Sequence, residues 1–222
     1  MMSTVLLSVK IGLIAAAINI PIAVAAEYLL TRYAFRGRTL IDGIINLPLV
    51  MPPVTTGYLL LIILGKNGII GSALYSTFGI RIAFTGAAAV IAAMVVSFPL
   101  IARSVKISLE MVDRKLEDAA MTMGAGRMSV FLRVTLPLIL PGLLNGAVLG
   151  FARSLGEFGA TITFAGNIDG ITRTIPLSVY SFLQIPGREA GAAKLVAVSV
   201  LISFGAIFLS STINSKGKKH ES

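Results

Sequence analysis

Arg153 and Glu157 stand four residues apart at the end of a long apolar run. That spacing brings two side chains together on one helix face. A charge at the centre of a bilayer span costs about 2.5–3.5 kcal/mol on insertion scales, so a charged pair near such a span has a task. Two tasks fit: an ion pair that locks the end of the span, or a cation that attracts an anion, with Glu157 offsetting Arg153 in either case. Thr55, Thr56, Ser97, Asn145, Ser154, Thr161 and Thr163 are hydroxyl or amide groups at or near the same apolar depth. Each can donate to a polar solute, and each can equally bond its own backbone or glue two helices together. Pro52-Pro53 breaks another apolar run. Backbone groups freed there are tolerated only beside protein or water, which suits a gate, a cavity or a packing kink.

A second patterned stretch runs from Glu117 to Pro137, EDAAMTMGAGRMSVFLRVTLP, a polar interruption between two apolar segments. Leu116, Ala119, Ala120 and Met123 recur at helical spacing, with Glu117 and Asp118 expected on the other side. Acids suit the first turn of a helix because of the dipole there. Gly124 and Gly126 stop that helix, Met128 to Val134 forms a second helical stretch, and Pro137 opens the next apolar run. Small side chains at Ala119 and Ala120 let another backbone come close. Such a loop either docks a partner or lies on lipid as an ordinary amphipathic segment.

Other chemistries fail on inventory. There is no cysteine and one histidine, His220, so thiolate or histidine metal sites and a Ser/His/Asp triad are not expected. No G-x-x-x-x-G-K-[ST] motif is present; Gly65-Lys66 lacks both the glycine five positions earlier and the following Ser or Thr. The chain is therefore read as no enzyme, with no metal and no cofactor of its own.

The elements that must hold these residues are membrane helices. Hydrophobic residues make up 55% and charged residues 13% of the 222, about half the charge of a soluble domain. Gly43 to Gly65, Ala83 to Ala102, Val134 to Ala152 and Leu195 to Ile213 are uncharged runs of about 19–23 residues, each enough for one crossing. Val5 to Leu30 reads as a first, longer helix carrying Lys10 and Glu27. Ala23-Val24-Ala25 also has the form of a signal-peptide cleavage site, but the positive region before it is thin. The expected fold is an all-α membrane protein of about five transmembrane helices, near residues 5–30, 43–65, 83–102, 134–157 and 195–213, with a cytoplasmic loop 103–133 between spans three and four. Phe158 to Ala165 and Thr174 to Ile185 are each too short to span; they suit an external re-entrant or interfacial pair, a sixth crossing being the alternative. With the N-terminus outside, twelve Lys and Arg fall on inner segments and five on outer ones. The positive-inside rule thus favours N-out and C-in, and orientation rather than nucleic acid explains the net charge of +9. The basic tail Lys216 to His220 reads as a solvated flank.

The inner loop resembles the signature of ATP-binding-cassette importer permeases: Asp118-Ala119-Ala120, Gly124, Val134 and Leu136-Pro137 keep every spacing of that pattern, with Asp for Glu and Val for Ile. Asn46 to Tyr58 (NLPLVMPPVTTGY) is similar to the second-span motif of oxyanion permeases. Leu155 to Phe164 (LGEFGATITF) and Thr172 to Pro176 (TRTIP) resemble the molybdate branch of that family. The resemblance covers nearly the whole chain. It implies that Glu117, Asp118, Ala119, Ala120, Gly124, Leu136 and Pro137 form a helix that docks into a separate ATPase subunit, present in two copies, which binds ATP-Mg. It implies a homodimer with the pathway on its two-fold axis, in the plasma membrane, supplied by an extracytoplasmic binding protein. Arg173, Arg188 and Lys194, or Lys66 and Arg81, would face that protein. The expected substrate is molybdate, with tungstate and then sulfate behind it, and an ATP-independent channel or carrier as the alternative class. For a tetrahedral dianion, the pathway and gate candidates are Pro52, Pro53, Thr55, Thr56, Ser97, Asn145, Arg153, Ser154, Glu157, Thr161 and Thr163.

Overall fold

The computed structural model describes the backbone of residues 1–218 and the side chains through Ala206, with Phe208; Lys219 and His220 of the basic tail lie outside the described residues. The chain folds into α1 (Met2–Arg32), α2 (Arg38–Val50), α3 (Pro53–Leu64), α4 (Gly71–Phe78), α5 (Gly86–Met111), α6 (Arg114–Thr122), α7 (Arg127–Val130), a π-helical turn (Phe131–Thr135), α8 (Leu136–Leu155), α9 (Gly159–Phe164), α10 (Ile175–Leu183) and α11 (Glu189–Lys218). No strand occurs among the described residues. Among the described residues four helices, Met2–Arg32, Gly86–Met111, Arg127–Leu155 and Glu189–Ala206, are long and apolar enough to cross a bilayer.

Several expected boundaries move. The second expected span is not one helix: Met51 and Pro52 are extended between α2 and α3, because proline disfavours helix at the residue before it. Pro53 then opens α3, where its missing N–H costs nothing. The helix expected over 83–102 runs on to Met111, so nine residues assigned to the loop 103–133 belong to α5. Thr85 starts that helix, its Oγ1 accepting the Ala88 N–H at 3.3 Å. Residues 158–185 form the two short helices α9 and α10, of six and nine residues. At 1.5 Å per residue, neither alone reaches across an apolar layer of about 30 Å.

Small residues let the long helices approach closely. Gly142, Gly146 and Gly150 recur every four residues along α8 and face Ser104, Ser108 and Ile101 of α5. A Cβ on Gly146 would come to 2.8 Å from the Ser104 Cβ, and one on Gly150 to 2.5 Å from Ile101. Ser104 Oγ donates to the Gly142 carbonyl at 2.7 Å across the same interface. This is the close packing that drives association where lipid is as apolar as the side chains. On the other side of α5, Ala88, Ala89, Ala92, Ala93 and Val96 bury against Ile11 and Ala15 of α1, Leu60 of α3, and Ala160 and Phe164 of α9. A second cluster joins Ala23 and Val24 of α1 to Ile101, Val105 and Leu109 of α5 and Ile139 and Leu143 of α8. Helix α5 is thus the spine, and α1 and α8 lean on it.

Candidate functional site

The candidate residues gather at two places, α6 at one end of the bundle and the α3–α8–α9 junction in the other half. Asp113 begins α6, its carboxylate accepting the Lys115 N–H at 2.9 Å. Gly124 ends it at φ +89°, a left-handed position that glycine adopts without strain. The Ala125 N–H bonds back to the Ala120 carbonyl at 3.1 Å.

Leu116, Ala119 and Met123, the apolar face of α6, are exposed, Met123 to 84%. The two acids expected opposite that face divide. Asp118 is exposed, but Glu117 is buried. Its Oε1 pairs with Arg32 Nη2 of α1 at 3.0 Å, the two side chains being only 10% and 9% exposed. The same oxygen accepts Thr135 Oγ1 from the π-helical turn at 2.6 Å. One carboxylate therefore ties α6 to α1 and to the entry of α8. Glu117 is spoken for within the chain, so Asp118 is the acid left on the outer surface. A π-turn at this joint is in keeping with the placement of such turns at functional positions. Nearby, Arg114 Nη2 donates to the Thr31 carbonyl at 2.9 Å, which fixes the start of α6 to the same end of α1. Leu136 and Pro137 follow the π-turn as the first turn of α8.

At the second place, Arg153 Nη1 meets Glu157 Oε2 at 3.0 Å. Glu157 Oε1 also accepts the Ala160 N–H at 2.8 Å, so a carboxylate only 2% exposed joins the end of α8 to the start of α9. That start abuts the broken helix: a Cβ on Gly159 would lie 2.7 Å from the Pro53 Cβ, and one on Gly57 2.7 Å from the Ala160 carbonyl. Pro52, Pro53 and Thr55 are exposed. Thr56 is buried beside them, and its Oγ1 has no hydrogen-bond partner.

The remaining hydroxyls divide. Ser97 is fully buried, donates to the Ala93 carbonyl at 2.7 Å and accepts Asn19 Nδ2 at 3.2 Å. It holds α1 to α5. Ser154 and Thr163 donate to the Phe151 and Gly159 carbonyls of their own helices at 2.7 and 2.8 Å. Thr161 is buried and Asn145 half-buried. Three residues the sequence left unremarked prove important. Arg32 and Thr135 carry the Glu117 joint, and their separations of 85 and 18 residues leave no local signal. Asn19, an amide within an apolar helix, was visible as such and donates to the Met94 carbonyl at 2.9 Å.

Glu157→Ala removes an acceptor from a buried N–H and strands a half-exposed Arg153. It is expected to destabilise the purified protein by about 2 kcal/mol, discounted for that exposure, and Glu157→Gln by less because an amide oxygen still accepts the Ala160 N–H. Thermal unfolding in detergent tests the order, and equal midpoints for both variants and wild type would remove the joint.

Apolar helices that bury small residues against each other, with a helix–turn presented at one end, define a multi-pass membrane protein. Residues 13–215 match the family described as binding-protein-dependent transport system inner membrane component, and the chain belongs to that family. It is 52% identical over 206 residues to the molybdenum transport system permease protein ModB of Escherichia coli (strain K12), covering 93% of this chain and 90% of that protein. It is 48% identical over 217 residues to ModB of Haemophilus influenzae, covering 98% and 95%. Its fold is that of a chain in the crystal structure of a bacterial alginate ABC transporter in complex with an alginate pentasaccharide-bound periplasmic protein. That match has TM-score 0.76 at 14% identity and covers 97% of this chain and 78% of that one. The chain is an inner-membrane, multi-pass component of a transport system.

Proposed function

We propose that the chain is the permease subunit of an ATP-driven importer for molybdate. It works as a homodimer whose pathway follows the two-fold axis, with two copies of a separate ATPase below it and an extracytoplasmic binding protein above. The observation that carries this reading is α6: its small and apolar face, Leu116, Ala119 and Met123, points outward while its acid Glu117 is anchored inward. A helix lying on its own protein would bury that face. One held outward on a rigid joint is built to enter a groove on another protein. Asp118, Ala120, Gly124, Leu136 and Pro137 complete the surface and its connection to α8. Hydrolysis of ATP-Mg belongs to the partner.

The reading has five crossings, α1, the broken pair α2–α3, α5, α8 and α11, with α9 and α10 as a re-entrant pair; the lengths of the four long apolar helices support four of them. Arg32, Arg36, Arg38, Arg103, Lys106, Arg114, Lys115, Arg127 and Arg133 then share the α6 side, and the positive-inside rule supports a cytoplasmic α6 side with the N-terminus outside. Helix α2 has no buried residue in the protomer, and Pro52, Pro53 and Thr55 beside it are exposed, which suits a face shared with a second copy. Thr55, Thr56, Asn145, Thr161 and Thr163 remain the pathway candidates. The Arg153–Glu157 pair with Ser154 supports them from behind. Molybdate is preferred to sulfate because of the molybdenum permeases' identity of about half over nearly the whole chain.

The test is uptake of labelled molybdate into vesicles holding this chain with its ATPase and binding protein, sulfate being the competitor. Uptake is expected to require ATP and to resist excess sulfate. Uptake without ATP would make the chain a channel or carrier, and competition by sulfate would replace the substrate.

A further inference from the structure

Between α3 and α5 the chain carries two cations gathered on one tyrosine ring. After Leu64 it folds back on α3: the Ile69 N–H bonds to the Ile62 carbonyl at 3.2 Å and the Ile70 N–H to the Ile63 carbonyl at 2.8 Å. These bonds satisfy carbonyls of the last helical turn and hold Ile69 and Ile70 level with the apolar end of α3. Helix α4 then lies between the end of one apolar helix and the start of another, at one surface of the bilayer. Ile69 (77%), Ile70, Phe78 (68%) and Ile80 are all exposed there. Beside them Lys66 Nζ sits 4.6 Å from the centre of the Tyr75 ring and the Arg81 guanidinium 5.0 Å from it. Arg81 Nη2 also donates to the Tyr75 hydroxyl at 3.1 Å. This hydrogen bond, the Arg81 charge and the Lys66 charge lower the pKa of the phenol below its ordinary value.

Among the described residues the four ion pairs use other cations, so Lys66 and Arg81 converge on one ring without a carboxylate. Next to them is a hollow of about 380 Å³ lined by Leu61, Ile62, Gly65, Lys66, Asn67 and Gly68. Its lining joins Leu61 and Ile62 of α3 to Lys66 and Asn67 of the following turn. We propose that this hollow and the Lys66–Tyr75–Arg81 cluster bind the phosphate of an anionic phospholipid headgroup, with the acyl chains running past Leu61 and Ile62. An apolar lining joined to a cation suits an amphiphilic anion better than a small free one. Exposed apolar residues beside cations suit a helix lying in the interface, and tyrosine is enriched at headgroup level. The site needs only the membrane and not the assignment of sides.

Native mass spectrometry of the full chain, purified in detergent and supplied with phosphatidylglycerol or phosphatidylcholine, tests it. The wild type is expected to retain phosphatidylglycerol selectively. Lys66→Ala with Arg81→Ala, both exposed positions, is expected to lose about tenfold or more of that retention at an unchanged unfolding midpoint. Tyr75→Phe, which keeps the ring and drops the hydrogen bond, is expected to fall between. Equal retention of the two lipids, or undiminished phosphatidylglycerol on the double variant, would overturn the proposal. Displacement by millimolar inorganic phosphate would make it a free-oxyanion site instead. Unchanged lipid with weakened association of the binding protein would make it a protein dock.

Discussion

Glu117→Ala is expected to abolish productive coupling: ATP hydrolysis continues in the assembled complex while substrate uptake falls on the order of a hundredfold. Glu117 Oε1 holds Arg32 Nη2 at 3.0 Å and Thr135 Oγ1 at 2.6 Å with both side chains of the pair nearly enclosed. Removing one partner of a buried ion pair costs about 3–5 kcal/mol, because the other charge is left uncompensated. The joint is the main polar link from α6 to α1 and to the entry of α8. That free energy is withdrawn from the seated position of α6, and at about 1.4 kcal/mol per factor of ten the loss reaches the stated size. Membrane insertion does not depend on the joint, because the apolar runs that cross the bilayer are untouched. A second variant separates a lost joint from general damage. Arg32→Met combined with Glu117→Leu removes both charges, and replacing a buried pair by apolar groups is often neutral. The double variant is therefore expected to transport better than Glu117→Ala alone. Thr135→Val should cost only about 1 kcal/mol, one hydrogen bond. The measurement is the ratio of substrate imported to ATP hydrolysed in vesicles, normalised to inserted protein. An unchanged ratio for Glu117→Ala would remove the joint from the coupling path.

The same residue marks where a sequence stops being legible. The helical period of Leu116, Ala119, Ala120 and Met123 located α6, and the glycines located its end. Period alone does not say which face is buried, and in a soluble protein the apolar face would have turned inward. Here the charged residue went in, because Arg32 arrives at that spot from a helix distant in sequence. The long helices were legible because a bilayer demands uninterrupted apolar length. Their true ends were not, since α5 continues for nine residues past its apolar run on backbone hydrogen bonds that charged side chains do not oppose. The break at Pro52-Pro53 was legible from covalent chemistry. What it packs against was not: Gly57 and Gly159 are meaningful only once Ala160 and Pro53 lie on the other side. Likewise Ser97 was legible as a polar group at membrane depth, and its hydrogen bond to Asn19 of α1, 78 residues away, was not.

Replacement of Gly124 separates two causes of failure that are usually confounded. The residue sits at φ +89°, and a Cβ there would meet nothing within 4 Å. Within this chain a side chain costs only the strain of the left-handed region, about 1–2 kcal/mol for most residues and less for asparagine, which enters that region more readily. A clash cannot be charged against it, and neither can a lost contact. Gly124→Asn should therefore fold and insert as the wild type does, and so should Gly124→Asp, since aspartate shares the tolerance. Any larger effect must come from outside the chain. Gly124 lies at the exposed end of the α6 surface beside Met123, so a groove that receives α6 would meet the new side chain directly. Gly124→Asp adds a charge that must be desolvated on docking. It is expected to abolish association with the ATPase subunit and coupled uptake together, while Gly124→Asn weakens them less. Co-purification of the ATPase with each variant, beside the unfolding midpoint of the permease alone, gives the answer. Loss of association at an unchanged midpoint places the partner at Gly124. Normal association and uptake by Gly124→Asp would show that α6 docks nothing, and its exposed apolar face would then belong to the lipid.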